Sequence, residues 1–168
     1  IAGGFVGMVP TSSAGSSVHI SNSYSIGNVQ GSSGNYLGGF IGQFLSATRG
    51  SISNSYATGS VSGSTNLGGF LGAIGASTTL QNNYWNSTNN AGLHTVNGSV
   101  AGKTSATVGI ASLSTTEMQT LSNFSGWDTT SVWQSLSYFN NQLPFLRQNN
   151  TLASISLVTG SNRYGDTP

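Results

Sequence analysis

The chain of 168 residues is long enough for one domain, and 4% of its residues are charged, against about 25% in an average soluble domain. The net charge of +1, three acidic residues and absence of cysteine exclude a basic nucleic-acid surface, a repeated calcium site, disulfides and thiol chemistry. The uncharged composition, rich in Ser, Thr, Asn and Gly, favours an extracellular bacterial protein. Because the first residues lack a methionine and a signal-peptide pattern, we expect a piece of a longer chain.

Three short motifs recur in a fixed order from the start of the chain. A period near 30 residues, with β-like motifs separated by Gly and Ser turns, is typical of a solenoid. The third motif is lost in the third repeat. The positions are 3–5, 38–40 and 68–70 for Gly-Gly-Phe; 19–24, 51–56 and 79–84 for the Ile-Ser-Asn-Ser-Tyr type; and 27–29 and 59–61 for Gly-x-Val.

The second motif indicates which side chains face inward. Side chains alternate along a strand, so Ile52, Asn54 and Tyr56 share one face and the intervening serines share the other. An isolated buried asparagine would cost about 1–3 kcal/mol, but turns stacked about 4.8 Å apart let each carboxamide bond to the next. The sequence therefore predicts an all-β parallel β-helix with an asparagine ladder and a tyrosine stack: Asn22, Asn54 and Asn82, and Tyr24, Tyr56 and Tyr84.

The Gly-Gly-Phe motif predicts a strand with one large anchor. The glycines permit a tight corner before each phenylalanine. We expect Phe5, Phe40 and Phe70 to fill the interior of the coil, one in each repeat.

Two of the motifs resemble a known repeat. Residues 37–42, Leu-Gly-Gly-Phe-Ile-Gly, with 52–61, Ile-Ser-Asn-Ser-Tyr-Ala-Thr-Gly-Ser-Val, resemble the GLUG motif, and the resemblance covers residues 1–86. GLUG repeats occur in large bacterial surface adhesins of the filamentous-haemagglutinin type and in some surface proteases. The resemblance implies a right-handed β-solenoid, a secreted or surface-bound protein that mediates adhesion, and no catalytic residues.

The later part of the chain carries two further resemblances. Residues 118–147 resemble the segment that commonly ends a GLUG array, through Phe-Ser-Gly-Trp-Asp at 124–128 and Leu-Pro-Phe-Leu-Arg at 143–147, although Thr129 stands where the family has an aromatic residue. Residues 164–168, Tyr-Gly-Asp-Thr-Pro, are similar to the opening of MBG-type repeats. We therefore expect solenoid repeats over 1–113, an end segment over 114–148, and a linker or the start of a following module over 149–168.

The segment after the repeats predicts a short helix. Residues 87–113 are interpreted as an irregular coil or long loop. Ser114 and Glu117 have the spacing of a capping box, which marks a helix start. The apolar residues that follow predict a helix of two to three turns ended by a glycine: Met118, Leu121, Phe124 and then Gly126.

An aromatic stretch follows this helix. The end of a solenoid exposes apolar core and unpaired strand edges and needs a cover. We expect the helix and an aromatic strand to cap the C-terminal end of the repeats through Trp127, Trp133 and Phe145. The alternative is that these aromatic residues form a platform for stacking sugars.

The sequence offers little catalytic chemistry. His19 and His94 lie far apart, and we expect His19 to be exposed and to bind no metal. Glu117 has a capping role, and Asp128 is expected to bond the local backbone rather than act as an acid or base. We expect no catalytic residues, no metal site and no cofactor.

These observations predict a non-catalytic structural and adhesive module of a large secreted bacterial surface protein. As a rigid stalk it would contact glycans, matrix or other cells, and the full-length protein would need an outer-membrane secretion partner. The alternative is a subunit of a self-assembling extracellular filament that associates end to end. A polysaccharide-active β-helix enzyme and an ice-binding solenoid are less favoured, because the repeats lack acidic residues and rows of outward threonines.

Overall fold

The chain forms an all-β structure whose strands pair mostly in parallel, with one short α-helix in the described ranges. The computed structural model describes residues 1–10, 17–32, 36–45, 50–75, 78–96 and 109–147. The expected module at 149–168, with its MBG-like residues, lies outside these ranges. Within them, no helix has both the length and the apolar character to cross a membrane.

The repeats consist of strands of two to eight residues. The first repeat contains β1 (Ala2–Gly3), β2 (Val6–Val9), β3 (His19–Ser21), β4 (Tyr24–Ser25) and β5 (Val29–Gln30). The second repeat contains β6 (Leu37–Gly38), β7 (Ile41–Phe44), β8 (Ser51–Ser53), β9 (Tyr56–Ala57) and β10 (Val61–Ser62). The third repeat contains β11 (Leu67–Ile74), β12 (Thr79–Gln81) and β13 (Asn83–Asn86).

Equivalent strands of successive repeats pair in parallel and in register. Ile20 pairs with Ile52, which pairs in turn with Leu80, and the tyrosines of the three repeats pair in the same way. The long strand β11 pairs with both β6 and β7, so it occupies the place of two strands of the repeat below. The resulting sheets have the orders β1-β6-β11-β7-β2, β3-β8-β12, β4-β9-β13 and β5-β10.

The main core lies between the sheet of the Gly-Gly-Phe motifs and the sheet of β8. Phe40 stacks on Phe70 with ring centroids 4.8 Å apart, and both side chains are fully buried. Ile52 and Leu71 belong to the same buried cluster. Stacking one repeat on the next therefore places like side chains against one another along the core.

Phe5 differs from the expected interior anchor. Its ring stacks on Phe40 at 4.9 Å, but the residue is 46% exposed. Strands β1 and β2 are the edge strands of their sheet, so in the described part of the chain no strand pairs with their outer sides. Phe5 is exposed because no described repeat lies against the outer side of its own repeat.

The interpretation of residues 87–113 as irregular coil is wrong in two places. Strand β14 (His94–Val96) pairs in parallel with β11, and strand β15 (Ile110–Leu113) pairs in parallel with β13. These strands begin a fourth layer on the third repeat. The sequence of this segment has no recognisable motif, so its pairing with the edges of β11 and β13 was not predictable from periodicity.

The capping box at Ser114 is confirmed, but the helix is shorter than expected. Ser114 Oγ accepts from the N–H of Glu117, whose carboxylate accepts from the Ser114 N–H at 2.7 Å. Helix α1 (Thr115–Met118) has a single turn and is followed by a 3-10 turn at Leu121–Asn123. The Asn123 side chain donates to the Glu117 carbonyl at 2.9 Å. The same carbonyl also accepts from the Thr120 N–H at 3.1 Å, so both donors hold the end of the helix.

The close stacking of repeats predicts different effects for two glycines. A Cβ at Gly38 would overlap the Ile41 carbonyl oxygen and lie 2.6 Å from the Gly72 backbone nitrogen, whereas a Cβ at Gly27 meets no atom within 4 Å. We expect Gly38→Ala to lower the free energy of unfolding by about 1–3 kcal/mol, and Gly27→Ala to change it by less than about 0.5 kcal/mol. Urea unfolding followed by tryptophan fluorescence measures both, and equal effects would contradict the stacking.

Candidate functional site

The asparagines of the second motif lie at bends rather than within strands. Asn22, Asn54 and Asn82 have φ of 48°, 49° and 53°, a left-handed conformation that asparagine tolerates better than most residues. Each stands between two short strands of its repeat. The strand alternation predicted across this position is therefore wrong, because the bend changes the direction in which the following side chains point.

The predicted ladder of these asparagines has one side-chain step. Asn82 Nδ2 donates to Asn54 Oδ1 at 3.3 Å, while no side-chain hydrogen bond joins Asn54 to Asn22, both of which are described. The bends are stacked mainly by their backbones, since the Asn22 N–H donates to Ser53 O and the Asn54 N–H to Gln81 O.

A second ladder, missed by the sequence analysis, runs one residue further along the chain. The Ser23 N–H donates to Ser55 Oγ at 3.2 Å, and the Ser55 N–H donates to Asn83 Oδ1 at 3.1 Å. Asn83 is fully buried, and its Nδ2 donates to the carbonyl of Ile52 at 2.8 Å. This ladder satisfies the backbone groups that the bend leaves unpaired. The recurrence of a small polar residue after each bend asparagine was the available signal.

The prediction that the tyrosines share the core of Ile52 is wrong. Tyr56 is fully buried, but it belongs to a separate cluster with Met118 and Trp133, while Ala57 faces the main core. We call the surface formed by Tyr24, Tyr56 and Tyr84 the tyrosine face. Tyr24 and Tyr56 stack with centroids 5.3 Å apart.

The aromatic segment covers the tyrosine face and not the end of the repeats, which corrects the predicted end cap. Trp133 contacts Tyr24 and Tyr56, with centroids 6.1 and 6.0 Å away. Trp127 contacts Tyr56 and Tyr84 and stacks on Trp133 at 4.2 Å. The C-terminal segment, residues 114–147, thus lies along the side of all three repeats.

Hydrogen bonds fix this cover in register with the repeats. The Tyr56 hydroxyl donates to the Pro144 carbonyl at 2.6 Å. The Tyr84 hydroxyl donates to the Ser125 carbonyl at 3.1 Å. The Trp127 indole N–H donates to the carbonyl of the bend residue Asn82 at 2.8 Å. Tyr56 and Tyr84 therefore hold the C-terminal segment through their hydroxyls as well as their rings.

Phe145 has a different position from the two tryptophans. It lies in β17 (Phe145–Leu146), which pairs antiparallel with β16 (Trp133–Gln134), and is partly buried. Its ring contacts Phe139, which is 51% exposed. Phe145 therefore packs within the C-terminal segment and does not cap the repeats.

A turn of asparagines replaces the Gly-x-Val motif that the third repeat lacks. Asn90 Oδ1 accepts from the Val61 N–H at 2.7 Å, and its Nδ2 donates to the Gly59 carbonyl at 3.1 Å. Asn89 Nδ2 donates to the Thr58 carbonyl at 2.8 Å. These carboxamides form hydrogen bonds with backbone groups at the edge of β10 that faces the third repeat. Sequence analysis missed this turn, although several asparagines follow residue 85 where the motif disappears.

A cleft of about 280 Å³ lies between the repeats, this turn and the C-terminal segment. Its lining side chains are mostly uncharged amides and hydroxyls. We call it the asparagine cleft. It is lined by Ile26, Asn28, Thr58, Gly59, Asn86, Asn89, Thr115, Gln119, Asn140, Asn141 and Leu143.

The two acidic residues in the described ranges, Glu117 and Asp128, serve local structure. The Ser131 hydroxyl and the N–H groups of Ser131 and Thr130 donate to Asp128, and these bonds lower the pKa of its carboxyl. The bonds from the Ser114 N–H and hydroxyl lower the pKa of Glu117 in the same way. The expectations that Asp128 bonds the local backbone and that Glu117 caps the helix are confirmed.

The histidine expectation is confirmed in part. His19 is exposed, and its ring nitrogens lie 2.7 Å from Ser51 Oγ and 3.0 Å from Ser17 Oγ. The described residues contain no group of three or more His, Asp or Glu side chains that could hold a metal ion.

Comparison with known proteins adds no relative: no family model, curated protein or solved structure matches the chain. The resemblance to GLUG repeats therefore remains a prediction from the sequence motifs.

The two ladders predict different effects for adjacent asparagines. Asn83→Ala removes a buried acceptor and a buried donor, and we expect a loss of about 2–4 kcal/mol of unfolding free energy. Asn82→Gly keeps the left-handed bend and removes only bonds of 3.3 and 3.4 Å, so we expect a loss below about 1 kcal/mol. Urea unfolding of both variants tests this, and a larger loss for Asn82→Gly would restore the predicted asparagine ladder.

Burial of Tyr56 predicts loss of stability in alkali. Desolvation raises the pKa of its hydroxyl well above the usual value near 10. Above about pH 10 this tyrosine ionises in the unfolded chain but not in the folded one, so the free energy of unfolding falls as pH rises. Tyr56→Phe removes the hydroxyl that ionises. The free energy of unfolding should then fall less steeply with pH, by up to about 1.4 kcal/mol per pH unit.

Urea unfolding at about pH 8 to 11 measures that slope. The control is Tyr138→Phe, which makes the same substitution at a residue that is 83% exposed. A Tyr56→Phe slope equal to that of the parent protein would contradict the burial argument.

Proposed function

We propose that the chain is a right-handed parallel β-helix that serves as a rigid, non-catalytic stalk and attachment module of a large secreted bacterial surface protein. The observation that supports this best is the parallel, in-register pairing of every strand of the second repeat with its counterpart in the first. The right-handed coil and the surface location come from the resemblance to GLUG repeats.

The packing suits a stalk. Parallel ladders, stacked phenylalanines and the bend hydrogen bonds all join one repeat to the next along a single direction. The C-terminal segment contacts all three tyrosines and so resists bending between repeats. An elongated stack of this kind adds about 4.8 Å for each repeat.

The polar surface suits attachment. Exposed serines, threonines and asparagines can bond to glycans or matrix without long-range charge effects, and the described acidic groups are held in local hydrogen bonds. We propose glycans or matrix on host or bacterial cells as the ligands and an outer-membrane secretion partner for the full-length protein.

Self-assembly into a filament is the second candidate function. The first repeat exposes Phe5 (46%), Met8 (47%) and Ile26 (53%) beside strand edges that no described strand covers. Another copy could pair with these edges and bury the apolar side chains.

Lengthening the stack tests the stalk. We expect four extra copies of residues 35–66, inserted after Asn66, to lengthen the molecule by about 20 Å with its cross-section unchanged. Small-angle X-ray scattering measures both dimensions. A wider particle of unchanged length would contradict the proposed β-helix.

Attachment and assembly need separate measurements. Beads carrying the chain should bind bacterial or host cells, and periodate treatment of those cells, which destroys glycans, should abolish the binding. Absence of binding to any cell would contradict attachment. Long fibres in electron micrographs at high protein concentration would support the filament instead. Met8→Gln, which introduces the residue found at the paired position 43, should then reduce the fibres, and Tyr138→Ser should not.

A further inference from the structure

We propose that the asparagine cleft binds one uncharged sugar unit of a glycan. The inference deepens the proposed attachment function and rests on it for its biological role. The cleft is formed entirely by described residues, from the repeats on one side and the C-terminal segment on the other.

The lining retains hydrogen-bonding groups that the fold does not use. Asn28 Oδ1 accepts from the Ser60 N–H at 2.9 Å, but its Nδ2 has no partner in the structure described. Asn89 Oδ1 and Gln119 Oε1 are also unused there, although the amino groups of both side chains donate to carbonyls. The carboxamide of Asn141 makes no hydrogen bond to any described residue. Donors and acceptors are thus both available, and one hydrogen bond each holds the side chains of Asn28, Asn89 and Gln119.

The backbone beside the cleft is strained. Asn140, Asn141 and Gln142 are consecutive non-glycine residues with φ of 51°, 51° and 65°. Asn140 Nδ2 lies within 3.4 Å of the carbonyl oxygens of Leu143 and Pro144, which holds this turn in place. Single left-handed asparagines also form the bends of the repeats, but a run of three left-handed residues that includes a glutamine is unfavourable, and such backbone outliers concentrate at ligand-binding sites. The turn presents the two asparagines to the cleft.

These features match the chemistry of a sugar. Each sugar hydroxyl both donates and accepts, as the free amide groups require, and Ile26 and Leu143 can contact the C–H face of the ring. None of the lining residues carries a charge, so the lining offers no ion-pair partner for a phosphate or a carboxylate. A volume of 280 Å³ lies at the lower end for small-molecule sites and suits one sugar unit.

Nuclear magnetic resonance of the full chain tests this binding. The probes are glucose, galactose and N-acetylglucosamine, each as the monosaccharide and as a neutral trimer, followed through the side-chain amide signals of Asn and Gln. We expect at least one probe to shift the signals of Asn28, Gln119 and Asn141 with a Kd on the order of 1 mM. Tighter binding of the trimer would identify an internal unit of a polysaccharide, and equal binding a terminal or free sugar.

Two variants remove cleft groups with little structural cost. Asn141→Gly keeps a backbone that glycine adopts readily, and Asn28→Asp keeps the oxygen that accepts from Ser60. Each should weaken binding roughly 3- to 10-fold. Asn66→Gly is the matched control, because Asn66 has φ of 54° and lies outside the cleft, and it should leave the Kd unchanged.

Three results would overturn the inference: no shift of cleft amides at about 50 mM sugar, far above the expected Kd; unchanged binding in both cleft variants; or shifts caused by a blocked, uncharged peptide and by no sugar.

Failure of sugar binding by the cleft and failure of the attachment function can be told apart. If beads still bind cells after both cleft substitutions, attachment stands and the cleft fails. If sugars bind but no cell does, the cleft stands and attachment fails.

Discussion

Stacking each repeat in register on the next imposes one requirement on the strands between repeats: their backbone hydrogen bonds and the volume of their inward residues must be matched by equivalent residues in the neighbouring repeat. Phe40 on Phe70 and Ile52 between Ile20 and Leu80 satisfy it by packing. Glycines such as Gly38 and Gly72 satisfy it by allowing backbones to approach too closely for a Cβ. Most of the other features described follow from this parallel, in-register stacking.

The left-handed asparagine in each repeat separates the structure into two packed regions. Before it, Ile52 faces the main core, and after it Tyr56 faces the C-terminal segment. The backbone groups left unpaired by the bend are taken by Ser55 and Asn83. A single backbone conformation, with φ near 50°, thus determines both the position of the tyrosine face and the need for a second polar ladder.

The C-terminal segment turns a stack of short strands into one braced unit and also completes the asparagine cleft. Its tryptophans contact tyrosines from all three repeats, and its turn at 140–142 supplies one wall of the cleft. The same segment therefore supports both proposals, rigidity through Trp127 and Trp133 and recognition through Asn140 and Asn141. Asp128 and Glu117 contribute as local caps whose ionised forms are stabilised by hydrogen bonds.

Periodicity in the sequence was sufficient to predict the repeats, the parallel β character, the buried Phe40 and Phe70 and the capping box at Ser114, because each depends on local spacing or on a residue meeting its own copy. Tertiary structure decided the rest. The side that Tyr56 faces depends on the φ of Asn54, which composition does not reveal. Strands β14 and β15 pair with edges of β11 and β13 that are far from them in sequence, and the cleft joins residues more than one hundred positions apart, from Asn28 to Asn141.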